Sequence, residues 1–212
     1  MPIDVKKEEK TFYLPPKTPH LIQVPPMRFV AVQGAGDPNE EGGAYQRAIG
    51  MLYAVAFTIK MSRKGGYSLP GYVEYVMPPL EGLWWMEGAD GLDLTRKAEF
   101  QWISLIRLPD FVTRESFDWA VQQAQEKKKI DLSPVQLLTW EDGLCVQCLH
   151  QGPYDQEGAT IRAMEQYARA QGMVPDVAGG RRHHEIYLSD PRRCKPENCK
   201  TVLRHPVRPI GG

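Results

Sequence analysis

Apolar and polar positions divide the chain into short runs typical of strands and three longer segments with helical periodicity. Runs that alternate indicate strands with one buried face, whereas continuously apolar runs indicate strands buried on both faces. A charged and then proline-punctuated segment, residues 1–20, precedes these runs and is expected to wrap around the domain without packing into it. In chain order, the predicted strands cover residues 21–24, 29–33, 72–77, 100–108, 135–140, 144–149, 183–188 and 201–204.

Three amphipathic helices are predicted. Asp37-Pro38 is a favourable helix start, because the aspartate can cap a free N–H group and a first-turn proline lacks only an N–H that would be unused. Thr113 is the expected cap of the second helix. Asp155 is expected to cap the third helix, at about residues 155–171, and Glu157 falls in its first turn, where a negative charge is favoured.

Two connections contain distinctive residues. Asp142-Gly143 separates two apolar runs, which is a strong signal for a β-hairpin. The long connection at residues 78–97 contains Trp84 and Trp85. Because adjacent indoles cannot both be buried on one side of an extended segment, this pair is expected to contribute to the wall of a cleft.

The two halves of the chain show a weak internal repeat. Gly34 and Asp37 recur as Gly152 and Asp155 at a constant offset, and each pair introduces a predicted helix. At a similar offset, Val73, Tyr75 and Pro79 match Glu185, Tyr187 and Pro191. We therefore predict one domain, residues 1–212, with half-repeats at about residues 21–108 and 135–205 that a helix at about residues 113–129 joins.

Charge and hydropathy exclude several classes of partner. Lys plus Arg and Asp plus Glu both number 26, so no net field attracts nucleic acid or an anionic membrane. No apolar run approaches the ~20 residues that a membrane-spanning helix needs. The N-terminus, MPIDVKKEEK, lacks the apolar segment of a secretory signal. We therefore expect a cytoplasmic protein with no direct nucleic-acid or membrane partner.

The cysteines and histidines do not form a metal-binding motif in the sequence. Cys145 and Cys148 lie in a predicted strand, where residues three apart point to opposite faces. Cys194 and Cys199 lie in a loop, where they could form a labile disulfide or bind metal adventitiously. Adjacent strand residues also diverge, so His183-His184 cannot chelate one ion. No metal and no organic cofactor is expected.

The run H-x-G-x-Y-D-x-E-x-x-T that begins at His150, followed by H-H-E-I-Y-L-S-D-P from His183, resembles the gyrase-inhibitor-like (GyrI-like) family of small-molecule-binding domains. More narrowly, it resembles stand-alone members that hydrolyse cyclopropane-bearing, DNA-alkylating natural products. Further matches are Leu14-Pro15, Gly36-Asp37-Pro38-Asn39 and Gly82-Leu83-Trp84-Trp85, so the resemblance covers nearly the whole chain.

The resemblance implies an α+β fold, a tandem pseudo-two-fold strand–helix–strand–strand repeat whose antiparallel sheets form a central ligand groove. It also implies a cofactor-free hydrolase in which Glu157 and Glu185 activate water. Both acids occur in the second half only, and strand alternation places Glu185 with His183 and Tyr187 on the face opposite the apolar Ile186. Without the resemblance, Glu157 is explained as a first-turn acid and Glu185 as an exposed acid paired with a neighbouring arginine.

Aromatic residues supply a candidate wall for a flat ligand, because rings offer large contact area with little rotamer entropy. The candidate substrate-binding residues are Tyr53, Tyr75, Trp84, Trp85, Tyr154 and Tyr187. The expected partner is a planar polycyclic small molecule. The chain could equally use these rings for its core.

Two further functions stay open. The domain could be a non-catalytic multidrug-binding module that sequesters or senses lipophilic planar drugs, with Glu185 as the counter-charge in an aromatic cage. Direct inhibition of DNA gyrase is a third and weaker hypothesis, which follows from the family name alone.

Overall fold

The computed structural model describes residues 2–89, 91–177, 180–190 and 193–211. Nine strands form one large antiparallel sheet in which β7 is an appendage to β9, and the helices pack on its faces, so the α+β class predicted from the sequence is confirmed. The strand order is β1-β6-β9-β8-β3-β4-β2-β5. The strands are β1 (His20–Val24), β2 (Met27–Ala35), β3 (Leu80–Met86), β4 (Phe100–Arg107), β5 (Val135–Trp140), β6 (Gly143–Gln151), β7 (Met173–Pro175), β8 (His183–Tyr187) and β9 (Lys200–Pro209).

Five α-helices accompany the sheet in the described part of the chain, namely α1 (Val5–Glu8), α2 (Lys10–Tyr13), α3 (Ala44–Met61), α4 (Arg114–Lys128) and α5 (Glu157–Ala170). The sequence β2-α3-β3-β4 in the first half corresponds to β6-α5-β8-β9 in the second. The halves meet where β3 pairs with β8, with Gly82 opposite Glu185. Residues from both halves therefore lie side by side at the centre of the sheet.

Apolar side chains fill both sides of the sheet. Helices α3 and α4 cover one face of the first half through Leu52, Ile59 and Phe117, and α5 covers the second half through Met164 and Ala168. Thr113 caps α4 as predicted, since its side chain accepts a hydrogen bond from the Ser116 amide. No helix in the described ranges is long and apolar enough to cross a membrane.

Residues 72–77 do not form the predicted strand, and Tyr75 makes only an isolated bridge to Ile3. The strand lies instead in the segment predicted to be a connection, at Leu80–Met86. By topology β3 is the counterpart of β8, so the match of Val73 with Glu185 is wrong. Apolar alternation at residues 72–77 is typical of a half-buried strand, but this segment forms an irregular connection in the structure.

The predicted hairpin around Asp142-Gly143 is also wrong. Both strands exist, but β5 pairs with β2 whereas β6 pairs with β1 and β9. Asp142 is 4% exposed and accepts hydrogen bonds from Trp140 Nε1, His184 Nδ1 and Arg204 Nη1. These buried contacts fix Asp142 in the connection between β5 and β6, which pair with different strands of the sheet.

Three predicted helix and arm details need correction. The first helix begins at Ala44, because Asp37 bonds to Asn39 in a turn of its own. Asp155 lies in a short 3₁₀ turn, Tyr154–Gln156, and does not cap α5. The N-terminal arm packs into the protein, since Tyr13 is 1% exposed and hydrogen bonds to Glu81.

Candidate active site

The two predicted catalytic acids lie next to each other. Glu157 is the first residue of α5, directly after the 3₁₀ turn, and Glu185 is the middle residue of β8. Both are buried. Together with His183 they form a cluster in which one polar atom of each residue lies within 4.8 Å of the others. Folding thus brings together two carboxylates that are far apart in the sequence.

Glu185 accepts hydrogen bonds through both of its oxygens. His183 Nε2 lies 2.9 Å from Oε1, and the Tyr187 hydroxyl donates to Oε2 over 2.7 Å. Trp84 Nε1 in turn donates to the Tyr187 oxygen over 2.9 Å. Both carboxyl oxygens of Glu185 are therefore held in place by hydrogen bonds, which fixes the orientation of the group.

The pKa of Glu157 is shifted by its surroundings. Burial raises its pKa well above the usual range, and the charge of Glu185 and a hydrogen bond to Glu185 raise it further. The sequence-based expectation that Glu157 stays ionised at the helix N-terminus is therefore wrong, because burial beside a second acid outweighs the helix dipole. Burial beside a second acid therefore favours the protonated form of Glu157.

Aromatic rings surround the acids. Trp84 and Tyr187 reach them from the paired strands β3 and β8, and Tyr154 lies at the rim, 38% exposed, with its ring 5.7 Å from that of Tyr187. Gly82 makes this approach possible. A Cβ atom at position 82 would lie 2.5 Å from Trp84 Nε1 and 3.0 Å from the Tyr187 hydroxyl.

Three of the six predicted substrate-binding residues lie elsewhere. Trp85 follows Trp84 in β3 and therefore points to the opposite face of the sheet, where the Arg182 guanidinium lies 4.5 Å from its ring. Tyr75 is buried against Phe111 and beneath the Lys60 ammonium. Tyr53 packs against Phe57 on α3.

Sequence reasoning missed Tyr45, His183 and His205 as members of the site. Tyr45 lies in α3, and its ring is 5.2 Å from that of Trp84. His183 was weighed only as a metal ligand, although its position two residues before Glu185 already placed both on one strand face. The His205 ring lies 4.6 Å from that of His183, and burial, with the charge of His183, lowers its pKa well below the usual range.

Some polar atoms in this cluster have no hydrogen-bond partner among the described residues. They are Glu157 Oε1, His183 Nδ1 and both ring nitrogens of His205. Each is buried, so each retains a capacity to bind a ligand atom or water in a site of low polarity. Glu157, His183 and Glu185 also have the donor types that could hold a divalent cation.

The opposite face of β8 contains a separate buried network. His184 lies between Asp142 and Glu81, with nitrogen–oxygen distances of 2.8 and 2.9 Å. Burial opposes a charge on His184, but the two carboxylates outweigh it and raise its pKa to about 9. Arg204, which is 1% exposed, also bonds to Asp142. This network fixes β8 from one face of the sheet, while Glu185 on the other face lies beside Glu157.

The fold is that of a small-molecule-binding domain. The family model of the GyrI-like small molecule binding domain matches residues 17–208, and the chain belongs to this family. No match was found among curated proteins.

Solved structures from Listeria innocua are similar over essentially the whole chain. An uncharacterised conserved protein is 49% identical, with a TM-score of 0.92 over 97% of this chain and 100% of that one. One hydrolase is 47% identical, with a TM-score of 0.90 over 98% and 100%. Another hydrolase is 46% identical, with a TM-score of 0.87 over 97% and 100%.

Proposed function

We propose that this protein is a cofactor-free hydrolase that opens the cyclopropane ring of polycyclic, DNA-alkylating natural products and so detoxifies them. The observation that supports the proposal most is the buried, adjacent pair of Glu157 and Glu185. The hydrolase names of two structures at 46% and 47% identity also favour hydrolysis.

The paired acids suit both halves of the reaction. Glu185, as the carboxylate, accepts a proton from water while the water oxygen forms a bond to the strained ring carbon. The ring C–C bond breaks, its electron pair moves into the conjugated carbonyl, and Glu157 donates its proton to that oxygen. Transfer of the new proton from Glu185 to Glu157 restores the starting state, so the net change is addition of one water.

General base catalysis of this kind contributes typically ~10²–10⁴-fold in rate. We expect Glu157→Gln and Glu185→Gln each to bind the drug but to lose at least about tenfold in turnover, the lower side of that range. Because both acids act on one reaction step, the double variant should be little slower than the slower single variant. Single-turnover kinetics on the three variants measure this, and wild-type rates in both single variants would contradict catalysis.

A non-catalytic module that sequesters or senses lipophilic drugs is the second candidate. The observation that favours it is the buried Glu185 carboxylate among Trp84, Tyr154 and Tyr187, which is also a suitable environment for a cationic ligand. Mass spectrometry after incubation of protein and drug separates the two functions. A product heavier by one water supports the hydrolase, and unchanged bound drug supports the module.

A further inference from the structure

A groove of about 900 Å³ runs between α3 and α4, and it is a different site from the acid pair. Its lining is largely apolar, and four large side chains on it are 40–48% exposed: Phe57, Met61, Tyr67 and Ile130. Trp119 stacks on Tyr67 with ring centroids 4.4 Å apart and forms one wall. A contiguous exposed apolar surface of this kind marks a binding site more often than a solvated surface.

Gly50 contributes to the floor of the groove. It lies in the middle of α3, where glycine is less favourable than alanine, and its backbone has no positive φ that would require glycine. A Cβ atom built there would meet nothing within 4 Å, and the residue lines the groove. Position 50 therefore carries no side chain that occupies the groove.

The charges that line the groove all have one sign. Arg47, Lys64, Lys127 and Lys128 contribute to the lining, and no acidic residue does. The sequence shows the same bias, because residues 42–73 contain no Asp or Glu although the whole chain has equal numbers of acidic and basic residues. A groove with an apolar floor and a cationic rim is complementary to a ligand with an apolar body and an anionic head.

We propose that this groove binds one free molecule of a lipophilic anion, of the long-chain carboxylate class. Its volume lies within the ~300–1,000 Å³ typical of small-ligand sites. The alkyl chain would cover Phe57, Met61 and Ile130, and the carboxylate would bond to the lysine rim. The site does not depend on Glu157 or Glu185, so its occupant is distinct from the substrate of the proposed hydrolase.

Isothermal titration of the full chain with dodecanoate, below its micelle-forming concentration, tests the proposal. We expect saturable binding at one site, and at least tenfold weaker binding in Gly50→Leu, which fills the floor. The combined variant Lys64→Glu, Lys127→Glu, Lys128→Glu should show a similar loss. Lys6→Glu, Lys7→Glu, Lys10→Glu changes the net charge equally at α1 and α2 and should leave the affinity unchanged.

Three further results decide the interpretation. Glu157→Gln should bind dodecanoate like the wild type, which separates this site from the proposed active site. Dodecyltrimethylammonium should bind at least tenfold more weakly than dodecanoate, and equal binding would overturn the role of the cations. Unchanged affinity in Gly50→Leu, with an unchanged melting curve, would overturn the proposal. Binding only to phosphatidylglycerol vesicles would also overturn it, because the groove is proposed to bind a single free molecule.

Discussion

At the scale of single residues, Tyr187 connects the aromatic surface to the acid pair. Its hydroxyl donates to Glu185 and accepts from Trp84, so it both orients the carboxylate and supports its charge. Position 187 was recognised from the sequence because strand alternation places it with Glu185. Its hydrogen bonds could not be predicted, since they depend on the pairing of β8 with β3.

The first residue-scale prediction concerns this hydroxyl. Tyr187→Phe should lower turnover by at least about tenfold, because a hydrogen bond to a charged group contributes ~1.5–3 kcal/mol. Trp85→Phe is the matched control. Because Trp85 lies on the opposite face of the sheet, this substitution should leave turnover unchanged. Steady-state kinetics on the two variants measure the difference. Equal losses would mean that the ligand reaches both faces.

The second residue-scale prediction concerns the effect of the buried Glu157 on the free energy of unfolding. The folded protein keeps a proton on Glu157 that the unfolded chain loses above the ordinary glutamate pKa of ~4.3. Folding stability therefore decreases as the pH rises from that value towards the raised pKa of the folded state. Glu157→Gln removes this dependence and should melt at a higher temperature than the wild type at pH 8, with a smaller difference at pH 5.

Melting curves at the two pH values test this expectation. Each kcal/mol gained corresponds to ~2–4 °C in a protein of this size. Glu41→Gln, at an exposed position, is the control and should show no pH-dependent gain. A gain of Glu157→Gln that is equal at both pH values would indicate improved packing without any change in proton linkage.

At the scale of elements, the sequence predicted periodic segments better than their partners. The helix that Thr113 caps and the strand predicted at residues 183–188 follow from local patterns and agree with the structure to within one residue. β3 was missed because two prolines, a glycine and paired tryptophans suggest a loop. The hairpin failed because a local turn signal at Asp142-Gly143 competes with long-range pairing, which no local pattern contains.

The element-scale prediction concerns the close contact of β3 and β8. Gly82→Ala should destabilise the fold by ~1–3 kcal/mol, because the added methyl group would overlap Trp84 Nε1 and force a shift. It should also reduce turnover per folded molecule, since Trp84 and Tyr187 must separate to accommodate it. Gly50→Ala is the control and should stabilise the protein by ~0.5–1 kcal/mol. Position 50 is in the interior of a helix, where alanine is more favourable than glycine, and the added methyl group would contact nothing.

Chemical denaturation and kinetics on the same preparations separate these two effects. A Gly82→Ala variant with wild-type stability and turnover would show that Trp84 moves aside without consequence for the site.

At the scale of the whole molecule, protonation of Glu157 and binding of a cation compete within one cluster. Glu157, His183 and Glu185 could coordinate Zn²⁺, but coordination requires them deprotonated. We expect dialysis against a chelator to leave turnover unchanged and added Zn²⁺ to inhibit, more strongly at pH 8 than at pH 6. Loss of activity with chelator, restored by zinc, would contradict the proton-based mechanism.

The pairing of β3 with β8 also has a consequence for synthesis of the chain. β8 and β9 follow β3 by roughly 100 residues, which take roughly 5–20 s to translate at ~5–20 residues per second. During that interval one edge of β3, with its tryptophans, has no partner strand, and an unpaired apolar edge is prone to associate with other chains. The nascent protein is therefore most vulnerable to aggregation before its last strands emerge from the ribosome.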